Sequence, residues 1–559
     1  MQKFCEIKTR NDLADFLKIP RKNLTYVLYA EKVENLYRVF EIPKKNGGVR
    51  VICAPQDRLA KIQRSLAAAL WEYQKLIWEN KNIQPNISHA FQKEKSIITN
   101  AKIHRNKRII VNIDLENFFH AFHFGRVKGY FQKNQDFNLP EPVAVIIAQI
   151  ACYKGSLPQG SPCSPIITNL ICQILDIRLL KIAKKYKLDF TRYADDITFS
   201  TNNKDFLIDK DSFFEEIDKE IRKAGFTINP KKTRIQFKDS RQEVTGLVVN
   251  KKINVNRNYY KRTKAMAYTL YTTGAFEIDG KPAIPRQLEG RFSFINQLDK
   301  YNNNIDGKKH DFYKLNGRER QYQAFLFYKY FFANEKLLIV TEGKTDVLYI
   351  KAALKNLYVH YPRLIEKDSD GNFIFKISFF KRTKRWRYFF GLSMDGADTM
   401  RNIYNFFVPG YNTVDYAQYF KNLCKRGAKN AVILIYDNET VSDRPLKKFL
   451  NHIQADSNAK KELQKNLYLQ IIEKNNLFLM TTPLLSKKKE SAIEDLFPKK
   501  VLEHKIKGKT FSPKDNYDPK TCYGKDAFAK YIYSNYDKID FSGFKELLDT
   551  INSIALKSF

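Results

Sequence analysis

One short segment constrains the fold more than any other: the adjacent aspartates Asp195 and Asp196 lie between two stretches with strand character. Residues 191–200 predict a hairpin, so the two carboxylates would project from its turn. A separate apolar run, 109–113, predicts a buried strand that ends in Asp114. Because such strands can lie side by side in one sheet, we expect the three carboxylates to converge.

Converging carboxylates suit divalent-metal chemistry on phosphates. Transfer of a nucleotidyl group uses two cations about 3.5–4 Å apart, one at the attacking hydroxyl and one at the leaving pyrophosphate. Oxygen ligands from Asp114, Asp195 and Asp196 favour Mg²⁺, and we expect two such ions here. A solvated acidic hairpin is the plain structural alternative.

The charge balance indicates a polyanionic partner. Lysine and arginine number 97 against 60 aspartates and glutamates, which leaves a net charge of +37. Such a chain repels itself unless it binds an anion, and nucleic acid is the obvious one. Residues 379–388 interleave basic and aromatic side chains, which suits phosphate contact and base stacking, although a solvated basic strand pair explains them equally well.

Other periodicities in the first half of the chain predict helices around an antiparallel sheet. Residues 40–52 read as a hairpin with a glycine-rich basic turn, and residues 57–79 read as an amphipathic helix. Further helices are predicted over 143–152, 165–185 and 213–224, the last with Ser212 as its N-cap. This pattern is typical of an α+β domain.

After residue 256 the pattern changes twice. Residues 256–332 are helical and aromatic-rich, with a polar surface loop predicted over 300–309. Near Ala333 a new unit begins, where an apolar strand runs directly into Glu342. A second apolar strand, 431–436, also ends in acids, and acids at the carboxyl ends of neighbouring parallel strands can share one crevice.

Cysteine spacing and hydropathy exclude several classes. The seven cysteines form no Cys-x-x-Cys pair, so neither a disulfide framework nor a zinc ribbon is supported. The N-terminus has no signal-peptide apolar run, and the longest apolar stretch, 143–152, is too short to span a bilayer. We expect a soluble protein of a reducing cytoplasm, with no membrane partner.

Three strings, 109–119, 157–162 and 193–196, occur in an order that resembles motifs A, B and C of reverse transcriptases. The resemblance implies an α+β right-hand polymerase, with fingers and palm over 1–256 and a helical thumb and connector over 257–333. It makes Asp114 and Asp195 catalytic metal ligands, Asp196 an accessory acid, and the carbonyl of Leu115 a further ligand.

The same resemblance assigns contacts with the incoming nucleotide. Phe119 would be the steric gate that selects dNTPs, and Lys232 would protonate the pyrophosphate. The complete set of residues expected to contact this substrate is Lys44, Lys45, Arg50, Leu115, Phe119, Gln159, Gly160 and Lys232.

Two further strings narrow the family. Asn100-Ala101-Lys102-Ile103-His104 is similar to the Asn-Ala-x-x-His signature of retron reverse transcriptases, and Val244-Thr245-Gly246 is similar to their Val-Thr-Gly element. The resemblance implies that Asn100, His104 and the Val244–Gly246 element take part in recognition of the retron RNA. The structural alternative for a lone histidine such as His104 is a hydrogen-bonded core residue.

Residues 334–559 resemble an α/β TOPRIM domain of the type found in OLD-related nucleases. Residues 338–346 match its first motif, with Glu342 as the acid-base group, and residues 433–439 match the second, with Glu439 where aspartate is usual. Residues 491–497 match a late Ile-Glu-Asp-Leu element. Glu342, Asp346, Asp437 and Glu439 would then hold one or two Mg²⁺ ions, although each acid could instead cap a helix.

The whole arrangement resembles the bacterial RT-TOPRIM fusion class of retrons. This implies that the protein copies part of its own structured noncoding RNA into DNA. Synthesis would start at the 2'-hydroxyl of a guanosine in that RNA, and the product would be branched msDNA. The bound product would restrain a TOPRIM nuclease, acting on DNA or RNA, until phage infection releases it. We expect a ribonucleoprotein, and a homo-oligomer is compatible with it.

Rival interpretations remain for both halves. The first half could be a polymerase of the group II intron or telomerase type, and the second could be a primase or topoisomerase fragment. From a different class, the second half could be a catalytically dead TOPRIM that serves as a nucleic-acid or protein binding module, as Glu439 in place of aspartate would suggest.

Overall fold

The computed structural model of the protein describes residues 4–44, 47–83, 86–441, 443–472, 475–485, 488–514 and 516–557. The chain divides into two units, 1–256 and 257–559. Within the described ranges no helix is long and apolar enough to cross a membrane.

The first unit contains both helices and short strands. Its helices are α1 (Arg10–Phe16), α2 (Arg21–Thr25), α3 (Asp57–Asn80), α4 (Ile97–Ile103), α5 (Phe124–Lys133), α6 (Glu141–Ala151), α7 (Ser164–Lys185) and α8 (Lys210–Lys223). Its strands are β1 (Tyr37–Pro43), β2 (Val49–Pro55), β3 (Ile109–Asp114), β4 (Asp189–Tyr193), β5 (Asp196–Thr201), β6 (Arg234–Phe237), β7 (Glu243–Val244) and β8 (Leu247–Val248).

An antiparallel sheet with the strand order β4-β5-β3-β6 is the centre of this unit. Strand β3 is almost entirely buried, which its run of apolar residues, interrupted only at Asn112, predicts. In the register of β3 and β5, Asp114 lies directly opposite Asp196. The sheet therefore brings the predicted acids together, and β1 and β2 form the predicted hairpin apart from it.

The helix predictions in this unit are confirmed with shifted ends. Helices α3, α6 and α7 begin and end within two residues of their predicted bounds. The N-cap prediction for α8 was wrong: the helix begins at Lys210, and its N-cap residue is Asp209. Serine favours caps, but here the polar residues before Ser212 extend the helix by a solvent-facing turn.

The second unit surrounds a second sheet with helices. Its helices are α9 (Arg257–Thr273), α10 (Pro285–Ile305), α11 (Gly317–Phe327), α12 (Lys344–Asn356), α13 (Lys384–Phe390), α14 (Arg401–Asn405), α15 (Tyr416–Cys424), α16 (Pro445–His452), α17 (Ser457–Asn466), α18 (Lys499–Leu502), α19 (Lys525–Ser534) and α20 (Lys545–Ala555). Its strands are β9 (Glu277–Ile278), β10 (Lys281–Pro282), β11 (Leu338–Thr341), β12 (Ile365–Lys367), β13 (Phe373–Phe375), β14 (Ser378–Phe379), β15 (Val432–Tyr436), β16 (Tyr468–Gln470), β17 (Leu477–Thr481), β18 (Thr510–Phe511) and β19 (Cys522–Tyr523).

The main sheet of this unit has the strand order β14-β11-β15-β17-β16, and only the edge strand β16 runs antiparallel. Successive residues of β15 enter two different cores: Val432 and Leu434 on one face, Ile433 and Ile435 on the other. Both faces of the sheet are therefore covered, as expected for parallel strands.

Helices α9 to α11 share the first of these cores with the sheet. The predicted loop over 300–309 is shorter than expected, because α10 continues to Ile305. Asn303 lies in this continuation and donates from its side chain to Glu319 on α11 (3.2 Å). A tertiary contact thus holds in helical form a run of asparagines whose own preference is for a loop.

The base-stacking interpretation of residues 379–388 was wrong for its central aromatic residue. Trp386 lies on α13 and is 2% exposed, because it packs against Phe331, Phe380 and Phe390. Two of the cations are also engaged within the protein: Arg385 donates to the Tyr322 hydroxyl (3.1 Å), and Arg382 donates to the carbonyl of Thr341 (2.7 Å). The Trp386 ring is part of the core while Lys381, Lys384 and Arg387 stay exposed, and the helix replaces the alternative strand pair.

Candidate functional site

The first acidic cluster, Asp114, Asp195 and Asp196, forms where a tight turn meets the end of β3. Ala194 begins the turn with a φ of 57°, a left-handed conformation that few alanines adopt. The amide of Leu115 donates to the carbonyl of Asp195 (3.1 Å), which ties the turn to the strand that carries Asp114. The geometry thus brings all three predicted catalytic acids to one place.

A buried ion pair below this turn was not predicted from the sequence. Arg192, which is fully buried, donates to both carboxylate oxygens of Asp176 on α7 (2.6 and 2.8 Å). The same guanidinium donates to the carbonyl of Ala194 (3.2 Å). Arg192 therefore braces the turn from below. An arginine inside a strand of the predicted hairpin was the available signal, since such a charge needs a partner where the strand is buried.

Lys232 lies beside the cluster. Its ammonium group is 3.0 Å from each carboxylate oxygen of Asp114, and Asn229 donates from its backbone amide to the Asp114 carbonyl (2.8 Å). The hydrogen bonds that Lys232 itself donates to the Asp114 carboxylate raise the pKa of Lys232 above its usual value. Lys232 is thus charged and placed at the acids.

The pKa values of the other two acids are raised by burial and by repulsion between the carboxylates. Burial and the neighbouring Asp114 raise the pKa of Asp195. The Asp196 side chain reaches the surface, yet the surrounding protein excludes much of its water, and this burial together with Asp195 and Asp114 raises its pKa to about 7. A divalent cation would relieve this repulsion.

The predicted nucleotide-binding residues approach from two sides. The amide of Cys53 on β2 donates to the carbonyl of Gln159 (2.8 Å), so the hairpin touches the 157–162 loop. Gly160 has a φ of 118°, and an added Cβ would lie 2.8 Å from the Cys53 carbonyl oxygen, so no larger residue fits there.

The hairpin cations remain exposed. Lys44 and Arg50 lie on the surface of the hairpin. The positive charge of Arg50 is close enough to Asp195 to offset part of the rise in the Asp195 pKa. Lys45 lies outside the described residues. Phe119 is half-buried and packs edge-on against Phe118, with ring centroids 5.5 Å apart, while Leu115 is buried. Their nucleotide contacts stay predictions.

The two strings that suggest a retron lie in contact, because α4 packs against the β7-β8 hairpin. Asn100 is 1% exposed, and His104 is fully buried between hydrogen bonds to Ser200 and Thr191 (2.7 Å each). Burial lowers the pKa of His104 to about 3, so it is neutral. His104 supports the sheet through these hydrogen bonds, and neither side chain reaches solvent. A part of Asn100 and His104 in RNA recognition stays a prediction.

The second string forms a tight turn. Thr245 and Gly246 have φ angles of 46° and 78°, as in a two-residue hairpin turn, and glycine suits the second position. Val244 is buried. A contact between this turn and RNA stays a prediction.

The second acidic cluster consists of Glu342, Asp346, Asp437 and Glu494. Glu342 follows β11, Asp437 follows β15, and these strands are adjacent and parallel, so the two acids share one edge of the sheet. The backbone amide of Asp437 donates to Glu342 (3.0 Å), and that of Ile493 donates to Asp437 (2.9 Å). Asp346 accepts from the amide of Gly343 (2.9 Å) and caps α12.

Burial and repulsion shift these acids strongly. Burial, with Asp346 and Glu439 nearby, raises the pKa of Glu342 to about 8. Burial and Glu494 raise the pKa of Asp346 to about 6, and burial and Glu342 raise that of Asp437 well above its usual value. Glu342 can therefore carry a proton near neutral pH, as a general acid or base must.

The sequence prediction omitted Glu494 and Lys525 from this site. Glu494 is 4% exposed and forms an ion pair with Lys525 (3.0 Å). The signal for Glu494 lay in the 491–497 string, which pairs with Asn438 next to Asp437. The predicted ligand Glu439 is close enough to raise the pKa of Glu342, and its carboxylate also lies 3.8 Å from the exposed Arg444.

Neither cluster is arranged as a finished metal site. Among the described residues, no group of three or more His, Cys, Asp and Glu side chains is arranged to hold a metal ion. In the first cluster Lys232 supplies the positive charge next to Asp114, and in the second the carboxylates accept backbone hydrogen bonds. Metal binding at either place stays a prediction.

Known proteins resemble the first part of the chain. The family model "Reverse transcriptase (RNA-dependent DNA polymerase)" matches residues 42–254. Retron Ec86 reverse transcriptase of Escherichia coli is 31% identical over 297 residues, which are 52% of this chain and 84% of that protein. Retron Mx65 reverse transcriptase of Myxococcus xanthus is 31% identical over 250 residues, or 42% of this chain and 55% of that protein.

Solved structures give a looser likeness. Telomerase from Candida albicans, in complex with a fragment of telomeric RNA, is 12% identical with a TM-score of 0.31, over 53% of this chain and 60% of that chain. The sequence relatives are more specific, because one of them is matched over most of its length. Because this relative is 31% identical and is matched over 84% of its length, the chain belongs to the retron reverse transcriptase family.

Proposed function

We propose that the first unit is an RNA-directed DNA polymerase that copies its own structured noncoding RNA into branched msDNA, starting from a guanosine 2'-hydroxyl. The observation that carries the polymerase proposal is the register that sets Asp114 opposite Asp196 at the tip of the β4-β5 hairpin. The names of the retron relatives support the choice of RNA and product.

The first cluster fits Mg²⁺ by its donor set. Its three carboxylates are hard oxygen ligands, and the raised pKa values of Asp195 and Asp196 indicate negative charge that lacks compensation. Bound there, Mg²⁺ would supply activation of the priming hydroxyl and stabilisation of the leaving pyrophosphate. Asp114 and Asp195 would be the principal ligands, with Asp196 and the carbonyl of Leu115 as further candidates.

The surrounding residues would position the incoming dNTP. Arg50 and Lys44 offer exposed charges to a triphosphate, and Lys45 is predicted to join them. Gln159 and Gly160 form the loop fastened to β2, while the half-buried ring of Phe119 would exclude a ribose 2'-hydroxyl. Lys232, charged beside Asp114, would be the proton donor to pyrophosphate.

The polymerase proposal is tested with Asp195→Asn, which preserves size and removes one negative charge. Cells that carry the noncoding locus should lose msDNA, measured by extracting and sequencing branched DNA with a guanosine 2'-5' linkage. Asp239→Asn is the matched control, because Asp239 is an exposed acid outside the cluster. Wild-type amounts of msDNA from the Asp195 variant would refute the proposal.

For the second unit we propose a TOPRIM nuclease that cleaves DNA or RNA and acts in defence against phage, restrained by bound msDNA until infection. The support is the pair Glu342 and Asp437 at the carboxyl ends of adjacent parallel strands, with a Glu342 pKa of about 8. The oxygen-rich donor set of Glu342, Asp346, Asp437 and Glu439 suits one or two Mg²⁺ ions, which would stabilise charge on the scissile phosphate.

A second candidate function for this unit has the same arrangement of acids but no catalysis. It is a catalytically inactive TOPRIM that binds nucleic acid or protein. It is favoured by the contact of Glu439 with Arg444, because this cation partly neutralises a predicted metal ligand. Both candidates are compatible with a ribonucleoprotein containing several copies of the chain.

Glu342→Gln separates these candidates, since glutamine keeps the oxygen that accepts from the Asp437 amide. A nuclease should lose Mg²⁺-dependent cleavage and phage protection while msDNA remains at its normal level. Glu366→Gln, at a surface ion pair in the same unit, is the control and should change neither. Full protection by the Glu342 variant would favour the binding module.

A further inference from the structure

Gln63 on α3 is a fully buried residue that connects the β1-β2 hairpin with the 157–162 loop. Its side-chain NH₂ donates to the Tyr37 hydroxyl and to the Ile150 carbonyl (2.8 Å each), and its Oε1 accepts from the Ser161 hydroxyl (2.8 Å). Both amide hydrogens and the amide oxygen are thus engaged. One planar amide therefore joins β1, α6 and the loop.

Ser161 is the point where this amide holds the 157–162 loop. The residue is 4% exposed and directly follows Gly160, so a fixed Ser161 also fixes the Gly160 backbone. The space beside Gly160 is tight, because an added Cβ would lie 3.0 Å from the Ile52 side chain on β2. A small displacement of Ser161 would therefore disturb the contact between the loop and the hairpin.

Tyr37 is the point where the same amide holds the β1-β2 hairpin. It is the first residue of β1 and is 9% exposed. Further along β1, Val39 lies opposite Cys53 on β2, and the Cys53 amide donates to the Gln159 carbonyl of the loop (2.8 Å). These contacts form a closed ring that runs from Gln63 through the loop and the hairpin back to Gln63. The ring sets the distance between the loop and the hairpin.

We propose that Gln63 is a positioning residue for the incoming dNTP and that it acts through Ser161. Gln63 has no exposed surface and so does not touch the nucleotide. It fixes the loop of Gln159 relative to the hairpin of Arg50, the two places where nucleotide contacts are predicted. A pocket that is already in place binds more tightly, because less ordering is needed on binding. The inference rests on the proposed polymerase function and adds a residue that shapes its substrate pocket.

Kinetics of the full chain with its noncoding RNA, at increasing dNTP concentration, test this role. Gln63→Met keeps the side-chain volume and removes all three hydrogen bonds, whereas Ser161→Ala removes only the hydrogen bond to the loop. Each variant should raise KM for dNTP about fivefold or more and keep kcat within about twofold, the signature of lost substrate binding. The value of kcat should persist because Arg192 holds the acidic turn separately. A lower kcat with unchanged KM would indicate only loss of folded enzyme and would overturn the inference.

Combining the two substitutions shows whether Gln63 acts through Ser161. Both single variants lose the same hydrogen bond, so their effects on KM should not multiply. The double variant should have a KM within about twofold of the higher single value. If the two increases multiplied instead, the residues would act independently, and the path through Ser161 would be refuted.

Tyr73→Phe is the matched control, because Tyr73 lies on the same helix and is also buried. Its hydroxyl donates to the Asp136 carbonyl (2.6 Å), which lies outside the loop. The control loses one hydrogen bond of α3 and should keep the wild-type KM. An equal rise in KM here would show that general loosening of α3, rather than the position of the loop, controls KM, and would overturn the inference.

Hydrogen exchange gives a readout that is independent of DNA synthesis. Without RNA or dNTP, a peptide spanning 157–163 should exchange faster in Gln63→Met and Ser161→Ala than in the wild type, and at the wild-type rate in Tyr73→Phe. Unchanged exchange in the first two variants would mean that Gln63 does not hold the loop, and would overturn the inference.

Failure of the inference and failure of the polymerase proposal give different results. A wild-type chain that incorporates no dNTP would overturn the polymerase proposal and this inference with it. Normal incorporation by the wild type, with an unchanged KM in Gln63→Met and Ser161→Ala, would overturn this inference alone.

Discussion

In the first unit, Asp195 and Asp196 project from a hairpin turn of an antiparallel sheet, whereas in the second unit Glu342 and Asp437 follow neighbouring parallel strands. The hairpin acids depend on a brace below them, the buried pair of Arg192 and Asp176. The acids of the second unit are instead fastened through their own carboxylates, which accept backbone amides.

In the first unit the acids proposed for catalysis are different residues from the ion pair that holds their turn. In the second unit the same acids are proposed for catalysis and also hold the backbone. Asp195 and Asp196 can change charge without loss of a cross-strand hydrogen bond, while Asp346 and Asp437 each accept a backbone amide. Each cluster also holds one lysine, but Lys232 is largely exposed beside Asp114, and Lys525 pairs with the buried Glu494. Substitutions should therefore have different consequences in the two units.

The largest expected effect is the loss of stability when the ion pair of Arg192 and Asp176 is broken. Asp176→Ala leaves the Arg192 charge buried without its carboxylate, which should destabilise the first unit by about 3–5 kcal/mol. Urea unfolding, followed by hydrogen exchange of peptides from β4 and β5, measures the loss. Peptides from the second unit should exchange as in the wild type.

Asp218→Ala is the matched control, because it removes an exposed partner of Arg222 on α8. A surface pair of this kind contributes about 0–1 kcal/mol. If the two variants lost similar stability, Arg192 would not be the brace of the acidic turn.

The sequence predicted the parts of both clusters that follow from local pattern. The run 109–113 is apolar at every position except Asn112, so its strand and terminal Asp114 could be predicted, and the strands before Glu342 and Asp437 were recognised in the same way. The hairpin over 40–52 was also confirmed, because strand alternation and a glycine-rich turn are local signals.

The remainder depends on contacts between distant residues. The partner of Arg192 is 16 positions away on a helix, so no local pattern could identify it. Glu494 reaches Asp437 through a bridge between Asn438 and Ser491. Trp386 looked like a stacking platform because the basic residues around it suggested solvent, yet long cations can point outward while the ring is buried.

The next effect concerns acid sensitivity, since His104 in the first unit is fully buried whereas the four histidines of the second unit, all described, keep contact with water. The folded-state pKa of His104, about 3, lies below the ordinary value of about 6.5, so the unfolded chain protonates first. Its stabilisation is complete above pH 6.5 and falls by about 1.4 kcal/mol per pH unit towards pH 3.

This prediction is measured as a slope. Between pH 6.5 and 5.5 the unfolding free energy of the first unit should fall more steeply in the wild type than in His104→Asn, by about 1 kcal/mol. His120→Asn, at an exposed histidine, should keep the wild-type slope. Identical slopes for the wild type and the His104 variant would show that His104 is not the group that titrates.

A smaller effect tests the dual role of acids in the second unit. Asp346→Ala removes the cap of α12 and should destabilise the second unit by about 1 kcal/mol, whereas Asp346→Asn keeps an acceptor oxygen and should keep stability. Thermal unfolding with unit-specific hydrogen exchange measures both. Asp195→Asn should leave the stability of the first unit unchanged; an equal loss there would remove the contrast between the clusters.

The smallest effect concerns the turn itself. Ala194 adopts a φ of 57°, where a Cβ is unfavourable by about 1 kcal/mol, so Ala194→Gly should relieve strain while adding flexibility to the unfolded chain. These terms nearly cancel, and we expect a change in stability below about 1 kcal/mol. Because Arg192 still holds the Ala194 carbonyl, msDNA synthesis should persist in this variant. If synthesis collapsed while stability held, the side chain of Ala194 would itself be needed to orient Asp195, and the brace would be insufficient on its own.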